Sequence, residues 1–127
     1  MIYPEGHEYF PLEIPIHEPL GWDMEKILCV HEYIRRNLDE IIPNLPKNSD
    51  YKLVSFEGKG GGKYPIIGIF PRTGKFEEDL SFSNFFEYFD VAEDYIARVG
   101  LENLLERSRN LPIPKWSDLE KGMMYPD

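Results

Sequence analysis

The spacing of the apolar residues changes twice along this chain of 127 residues, and this change limits the fold more than any other feature. Residues 23–42 repeat apolar side chains at intervals of three and four, which is typical of one helix face. Residues 51–57 and 64–70 are rich in β-branched and aromatic side chains around a Gly-rich span, which predicts a hairpin. Residues 82–99 return to helical spacing. The order predicts an α+β fold, with a small antiparallel sheet or hairpin packed by two main helices.

Capping and breaking residues predict where these helices begin and end. Asp23 is suited to cap the first helix and Pro43 to stop it, while Gly100 ends the second helix. Ser81 or Ser83 would cap that second helix. A third, short helix is expected from Leu101 to about Asn110, and Ser117 with Glu120 predicts a capping box for a last turn. The predicted apolar face of the second helix consists of Phe82, Phe85, Phe86, Phe89, Ala92, Ile96 and Val99.

Prolines punctuate the first 21 residues about every fourth position, which blocks a helix and predicts an extended arm. We therefore divide the chain into an extended Pro-rich arm (1–22), a single α+β domain (23–111) and a C-terminal extended tail (112–127). A hairpin alone is marginally stable, so either the arm adds a strand, for which Ile14 and Ile16 are suited, or the helices supply most of the burial.

Both terminal segments carry many large apolar side chains for their length, and such residues are enriched at the centres of protein interfaces. This surplus predicts another protein chain, or a second copy of this one, as the partner. The first hypothesis is a non-catalytic, protein-binding accessory subunit of a larger cytoplasmic complex. The residues expected to bind the partner are Tyr3, Tyr9, Phe10, Ile14, Ile16, Trp22, Trp116, Met123 and Tyr125.

The charges are uneven. The formal net charge is −9, which makes free nucleic acid and anionic membrane surfaces poor partners. Residues 51–75 sum to +4, whereas residues 76–106 sum to −8. The second hypothesis is therefore an acidic inhibitor or immunity-type protein that occupies a basic site on its target through Glu87, Asp90, Glu93 and Asp94.

The Gly-rich span supplies a third hypothesis, a small anion- or nucleotide-binding enzyme. Its residues are Lys59, Gly60, Gly61, Gly62 and Lys63, whose backbone amides and ammonium groups suit a phosphate. A P-loop is excluded, because only three residues separate Gly58 from Gly62 and a strand follows in place of a helix. The ordinary alternative is a hairpin tip whose lysines keep an edge soluble.

Neither a catalytic nor a metal centre is supported by the remaining residues. The His-Glu pairs at positions 7, 17 and 31 include no HExxH motif, since Arg35 stands four residues after His31. We expect His31 to be a core or interface histidine and Cys29 to be a small buried hydrophobe. We expect no metal, no cofactor and no catalytic residue. Without a secretory signal or an apolar run long enough to span a bilayer, we expect a cytoplasmic protein.

Overall fold

The computed structural model describes residues 10–12, 23–47, 49–57, 63–72 and 82–124. Their order is β1 (Phe10–Leu12), α1 (Met24–Arg36), α2 (Leu38–Ile41), β2 (Ser49–Glu57), β3 (Lys63–Pro71), α3 (Phe82–Val99), α4 (Leu101–Ser108), a 3₁₀ turn (Trp116–Asp118) and β4 (Glu120–Met124). The fold is α+β, which confirms the predicted class.

The sheet has four strands in the order β1-β3-β2-β4. Strands β2 and β3 form the predicted hairpin, with antiparallel pairing from Ser49 opposite Pro71 to Glu57 opposite Lys63. Strand β1 pairs antiparallel with the middle of β3, while β4 pairs parallel with the end of β2. Three strands are therefore antiparallel, and the fourth is a parallel addition that the sequence did not indicate.

Both outer strands come from segments that flank the predicted central domain of residues 23–111. The N-terminal segment does add a strand, but the described strand is Phe10–Leu12. Ile14 and Ile16, which were suited to that strand, lie outside the described residues. The C-terminal segment contributes β4. The sheet thus combines strands from before and after residues 23–111 with the central hairpin.

The first helix is shorter than the predicted span of residues 23–42. Asp23 caps it as predicted, since its Oδ1 accepts a hydrogen bond of 3.0 Å from the backbone N–H of Lys26. The helix ends at Arg36, and Asn37 interrupts it before the short α2. The Asn37 side chain donates to the Tyr33 carbonyl, an interaction that competes with continued helical bonding. The apolar spacing continues on both sides of Asn37, so it did not predict this break between α1 and α2.

The main core lies between the helices and one face of the sheet. The buried sides of α1, α3 and α4 pack there against alternate residues of β1, β2 and β3. The largest fully buried side chains of this core are Leu12, Val30, Ile34, Leu38, Ile42, Ile67, Ile69 and Leu104. This arrangement confirms that helices supply much of the burial for the small sheet.

The buried side of α3 differs from the predicted one. Tyr88, Ala92 and Ile96 are buried, whereas Phe86, which was assigned to the core face, is 49% exposed. The Tyr88 ring meets the Phe10 ring edge-to-face, with centroids 5.5 Å apart. The aromatic residues at the start of the helix allow two different apolar faces at helical spacing, one with Phe86 and one with Tyr88. The face with Tyr88 is the one that contacts β1 and is buried.

The last predicted helical turn is also corrected. Residues Trp116–Asp118 form a 3₁₀ turn without a side-chain cap, and Glu120 begins β4. The predicted capping box of Ser117 and Glu120 is therefore wrong, because Glu120 lies in a strand. By contrast, α3 ends before Gly100 as predicted, and Gly100 has a φ of +90°, a conformation that side-chain-bearing residues rarely adopt.

Candidate functional site

Four carboxylates share the solvent side of α3. Glu87, Asp90, Glu93 and Asp94 are all exposed, and together they form what we call the acidic face. Their spacing of three and four residues places them beside one another on the helix surface. The structure thus brings together all four residues of the predicted acidic surface.

No side chain in the described ranges forms an ion pair with these carboxylates. The nearest cation along the helix, Arg98, places its guanidinium 5.9 Å from the centre of the Tyr95 ring instead. Phe86 lies beside the same acids and is 49% exposed. The acidic face therefore offers negative charge and one aromatic ring to the solvent.

A different charge arrangement occurs on α1. Glu32 is only 6% exposed, and its two oxygens accept hydrogen bonds from the guanidinium groups of Arg35 and Arg36. Burial raises the pKa of Glu32, but the hydrogen bonds from both arginines outweigh burial and hold the pKa below its ordinary value. Arg35 also donates to the Tyr51 carbonyl at 3.1 Å, which ties α1 to β2.

A cleft opens between α1, the outer edge of β2 and the segment before β4. Its volume is about 250 Å³. The residues around it, which define what we call the β2-edge cleft, are Glu32, Arg35, Tyr51, Lys52, Leu53, Pro114, Asp118 and Leu119. The phenol of Tyr51 donates to Asp39. Burial, with that hydrogen bond as a second cause, raises the pKa of Tyr51.

Few of the predicted partner-binding residues lie where the structure describes them. Phe10 is buried against Tyr88 in the chain's own core, so its ring is not available to a partner in this fold. Trp116 is half-buried and packs beside that core. Met123 lies in β4, where only its backbone is described. Tyr3, Tyr9, Ile14, Ile16, Trp22 and Tyr125 lie outside the described residues.

The Gly-rich loop joins β2 to β3, as the hairpin register requires. Lys59, Gly60, Gly61 and Gly62 lie outside the described residues, and the backbone of Lys63 begins β3. Anion binding by this loop therefore stays a prediction. The strand after the loop agrees with the exclusion of a P-loop, which leads into a helix.

The titratable nucleophile and base candidates on α1, Cys29 and His31, are both shifted towards their uncharged forms. His31 is 3% exposed, and its Nδ1 lies 2.8 Å from the Ile27 carbonyl, which confirms a core histidine. Burial lowers the pKa of His31 to about 4. Cys29 is half-buried, so the expectation of a buried side chain is wrong. Partial burial, together with nearby Glu25 and Asp23, raises the pKa of the Cys29 thiol. His7 and His17 lie outside the described residues.

Sequence reasoning missed the exposure of Phe86 and the β2-edge cleft. The spacing of Glu32, Arg35 and Arg36 on one helix could have indicated their ion pairs. No local pattern indicated the cleft, because its walls come from residues 32–35, 51–53 and 114–119, which are distant in the sequence.

Comparison with protein-family models, curated proteins and solved structures gives no match. The helices within the described ranges are too short or too polar to cross a bilayer. The same part of the chain contains no group of three or more His, Cys, Asp or Glu residues placed to hold a metal ion.

Proposed function

We propose that this chain is a non-catalytic, protein-binding accessory subunit that contacts a basic surface of a larger cytoplasmic partner through the acidic face of α3. The observation that supports it is the set of four exposed carboxylates, none of which forms an ion pair with a described side chain. Lysine or arginine side chains on a partner would supply the missing positive charges.

The acidic face is unfavourable for the isolated helix. Glu87 and Asp90 are three residues apart, and Asp90 and Asp94 are four apart, so like charges lie side by side. Each such pair destabilises a helix by a few tenths of a kcal/mol. The repulsion opposes helix formation, whereas a basic partner would turn it into attraction and speed association.

Phe86 supplies an apolar contact within the same surface. An aromatic side chain that becomes desolvated among charged neighbours is a common anchor at protein interfaces. Because Phe86 is already 49% exposed, a partner could bury its outer surface without unfolding the helix. The combination supports docking of a protein surface more than attraction of small cations.

The terminal aromatic residues are a second part of the proposal. Tyr3, Tyr9, Trp22 and Tyr125 remain candidates for partner contact, while Phe10 is excluded because it is buried in the core. The cytoplasmic location is supported by Cys29, the single Cys of the chain, which gives no intrachain disulfide framework.

Inhibition is the second candidate function, and the same carboxylates favour it. An acidic inhibitor or immunity-type protein would occupy a basic active site, so its binding would also depend on the acidic face. The two candidates differ in what binding does to the partner, because an inhibitor abolishes the partner's activity and an accessory subunit does not. The small anion-binding enzyme stays an untested alternative.

The test compares capture of partners by two variants of equal net charge. The first variant replaces the acidic face with amides (E87Q/D90N/E93Q/D94N). The control neutralises four exposed acids elsewhere (E25Q/E40Q/E102Q/E106Q). After capture from a native extract, the intact complex is weighed by mass spectrometry, and the association rate with the purified partner is measured against salt concentration.

We expect the wild type and the control to retain one defined partner and the acidic-face variant to lose it. The wild-type association rate should fall steeply as salt rises. Equal retention of the partner by both variants would exclude the acidic face as the interface. A wild-type chain that remains monomeric in the extract would refute the accessory-subunit proposal itself.

A further inference from the structure

Two prolines restrict the segment that joins α4 to the 3₁₀ turn. Pro112 and Pro114 fix their own φ at about −65°, and each confines the residue before it to extended backbone. Lys115 follows with a φ of −93° and a ψ of 147°. These values lie close to those of the polyproline II helix, which has three residues per turn and no internal hydrogen bonds. We call residues 111–115 the proline strip.

Side-chain exposure along the proline strip repeats every three residues, as expected for a polyproline II helix. Leu111 and Pro114 are one turn apart and half-buried, and Pro114 lines the β2-edge cleft. Pro112 and Lys115 are also one turn apart and are exposed, as is Ile113. A β-strand would instead place Leu111 and Ile113 on the same face. The proline strip therefore rests on the protein along one face and turns its other two faces outward.

Hydrogen bonds hold the proline strip at both ends. Its first N–H donates to the Ser108 carbonyl at 3.0 Å, and its last carbonyl accepts from the Asp118 N–H at 2.9 Å. Between these ends, the main chain of residues 112–114 forms no hydrogen bond with the rest of the described chain. The proline strip is thus fixed in place, while its middle keeps its carbonyls available to another molecule.

The outward side of the proline strip is apolar at its centre. Ile113 is 48% exposed and, with Phe86, is one of two large apolar side chains that are exposed in the described ranges. The exposed Pro112 ring lies next to Ile113 in the chain and extends the same apolar surface. A partner could cover both side chains without any change in the main chain, which the prolines have already ordered.

A preformed polyproline II helix fits one kind of protein surface. Domains that recognise such helices hold them in a groove lined by aromatic rings, where prolines and aliphatic side chains dock between the rings. Tyrosine and tryptophan in such a groove carry O–H and N–H groups that can donate to the ligand's carbonyls. A groove covers its ligand from one side only, so the face with Leu111 and Pro114 can stay against this protein.

We propose that the proline strip binds an aromatic-lined groove on a partner domain that recognises polyproline II segments, with Pro112 and Ile113 as the apolar contacts. The site follows α4 and includes no residue of the acidic face of α3. It therefore does not depend on the function proposed for that face.

The first test examines the proline strip in the ligand-free protein by NMR. The Ile113 amide should exchange with solvent about as fast as in an unfolded peptide, whereas the Leu104 amide, which donates to the Gly100 carbonyl in α4, should be protected. The three-bond amide coupling of Ile113 should be small, as in a polyproline II helix, and not large as in a strand. Strong protection of the Ile113 amide, or a strand-like coupling, would overturn the proposal.

The second test adds purified groove domains to the isotope-labelled full chain and follows amide shifts. The probes are a set of SH3, WW and EVH1 domains, each paired with a variant whose groove aromatics are replaced by alanine. We expect at least one domain to shift the amides of Ile113 and Lys115, and its aromatic-free variant to shift neither. No shift at these amides with any domain at millimolar concentration, or equal shifts with the aromatic-free variant, would contradict the proposal.

Substitutions in the full chain locate the binding. Ile113→Ala should weaken it about tenfold by removal of the central apolar contact, and Pro112→Ala should weaken it because the main chain becomes less restricted. Pro43→Ala changes an exposed proline outside the proline strip and should alter the affinity less than about twofold. Equal losses in Pro112→Ala and Pro43→Ala would refute the site. No α3 residue is changed, so this outcome is separate from that of the proposed function.

Discussion

The two long helices of this protein use their charged residues in opposite ways. On α1, the buried Glu32 carboxylate accepts hydrogen bonds from Arg35 and Arg36. Arg35 also donates a hydrogen bond to the backbone carbonyl of Tyr51 in β2. On α3, Glu87, Asp90, Glu93 and Asp94 are exposed, and none of them forms an ion pair within the described ranges. Within the described part of the chain, the charges of α1 therefore connect parts of the fold, whereas the four carboxylates of α3 form no ion pair.

This difference separates residues that are needed for folding from residues that are available for binding. A buried carboxylate that loses its partners is strongly destabilising, while an exposed charge is nearly neutral in stability. If the contrast is correct, substitutions on α1 should change the free energy of unfolding, and substitutions on α3 should change association instead.

The largest contrast is expected between apolar side chains of the two helices. Ile34→Ala on α1 should lower the free energy of unfolding by roughly 3–4 kcal/mol, because Ile34 is fully buried and its removal leaves a cavity. Phe86→Ala on α3 should cost about 1 kcal/mol or less, because half of that ring is already in water. Urea unfolding measures both, and a larger loss for Phe86→Ala would reverse the contrast.

The next contrast concerns single carboxylates. Glu32→Ala should destabilise the protein by about 2–3 kcal/mol, somewhat less than for a fully buried pair because Arg35 and Arg36 are partly exposed. Glu93→Ala is the matched change on α3 and should stay within about 0.5 kcal/mol of the wild type. Similar urea midpoints for these two variants would show that the Glu32 network is not needed for the fold.

A pH dependence should arise from α1 through His31. The pKa of His31 is about 4 in the folded protein and ordinarily 6.5, so the unfolded chain binds a proton that the folded chain excludes. The stability is then complete above pH 6.5 and falls as the pH decreases towards 4. Between pH 7.5 and pH 5 the loss should be about 2 kcal/mol.

His31→Gln supplies the control for this prediction, because glutamine cannot titrate. The pH profile of the urea midpoint should flatten between pH 7.5 and pH 5 in this variant. An unchanged slope would assign the pH dependence to other groups. Glu32 adds its own loss only at lower pH, since its pKa lies below its ordinary value of 4.5 in the folded state.

Local patterns sufficed for much of the fold. The cap at Asp23, the β2–β3 hairpin and the end of α3 before Gly100 were all predictable, because each depends on residues close in the sequence. The four acids of α3 were also placed correctly on one exposed surface, since helical spacing alone fixes their neighbours.

The features that sequence patterns did not predict depend on contacts between residues far apart in the chain. The side of α3 that is buried follows from the contact of Tyr88 with Phe10, two residues that are far apart in the chain. Strand β4 has no alternating pattern in its sequence EKGMM, and it forms because β2 provides a partner edge. The β2-edge cleft depends on three separate segments, so no local rule could locate it.

The central claim is that the acidic face of α3 serves binding and not folding. The most direct measurement is the free energy of urea unfolding at pH 7 of the E87Q/D90N/E93Q/D94N variant, compared with the wild type. Removal of adjacent like charges should leave stability unchanged or raise it by up to about 1 kcal/mol. A loss of more than about 1 kcal/mol would show that these carboxylates support the fold, and it would contradict the account.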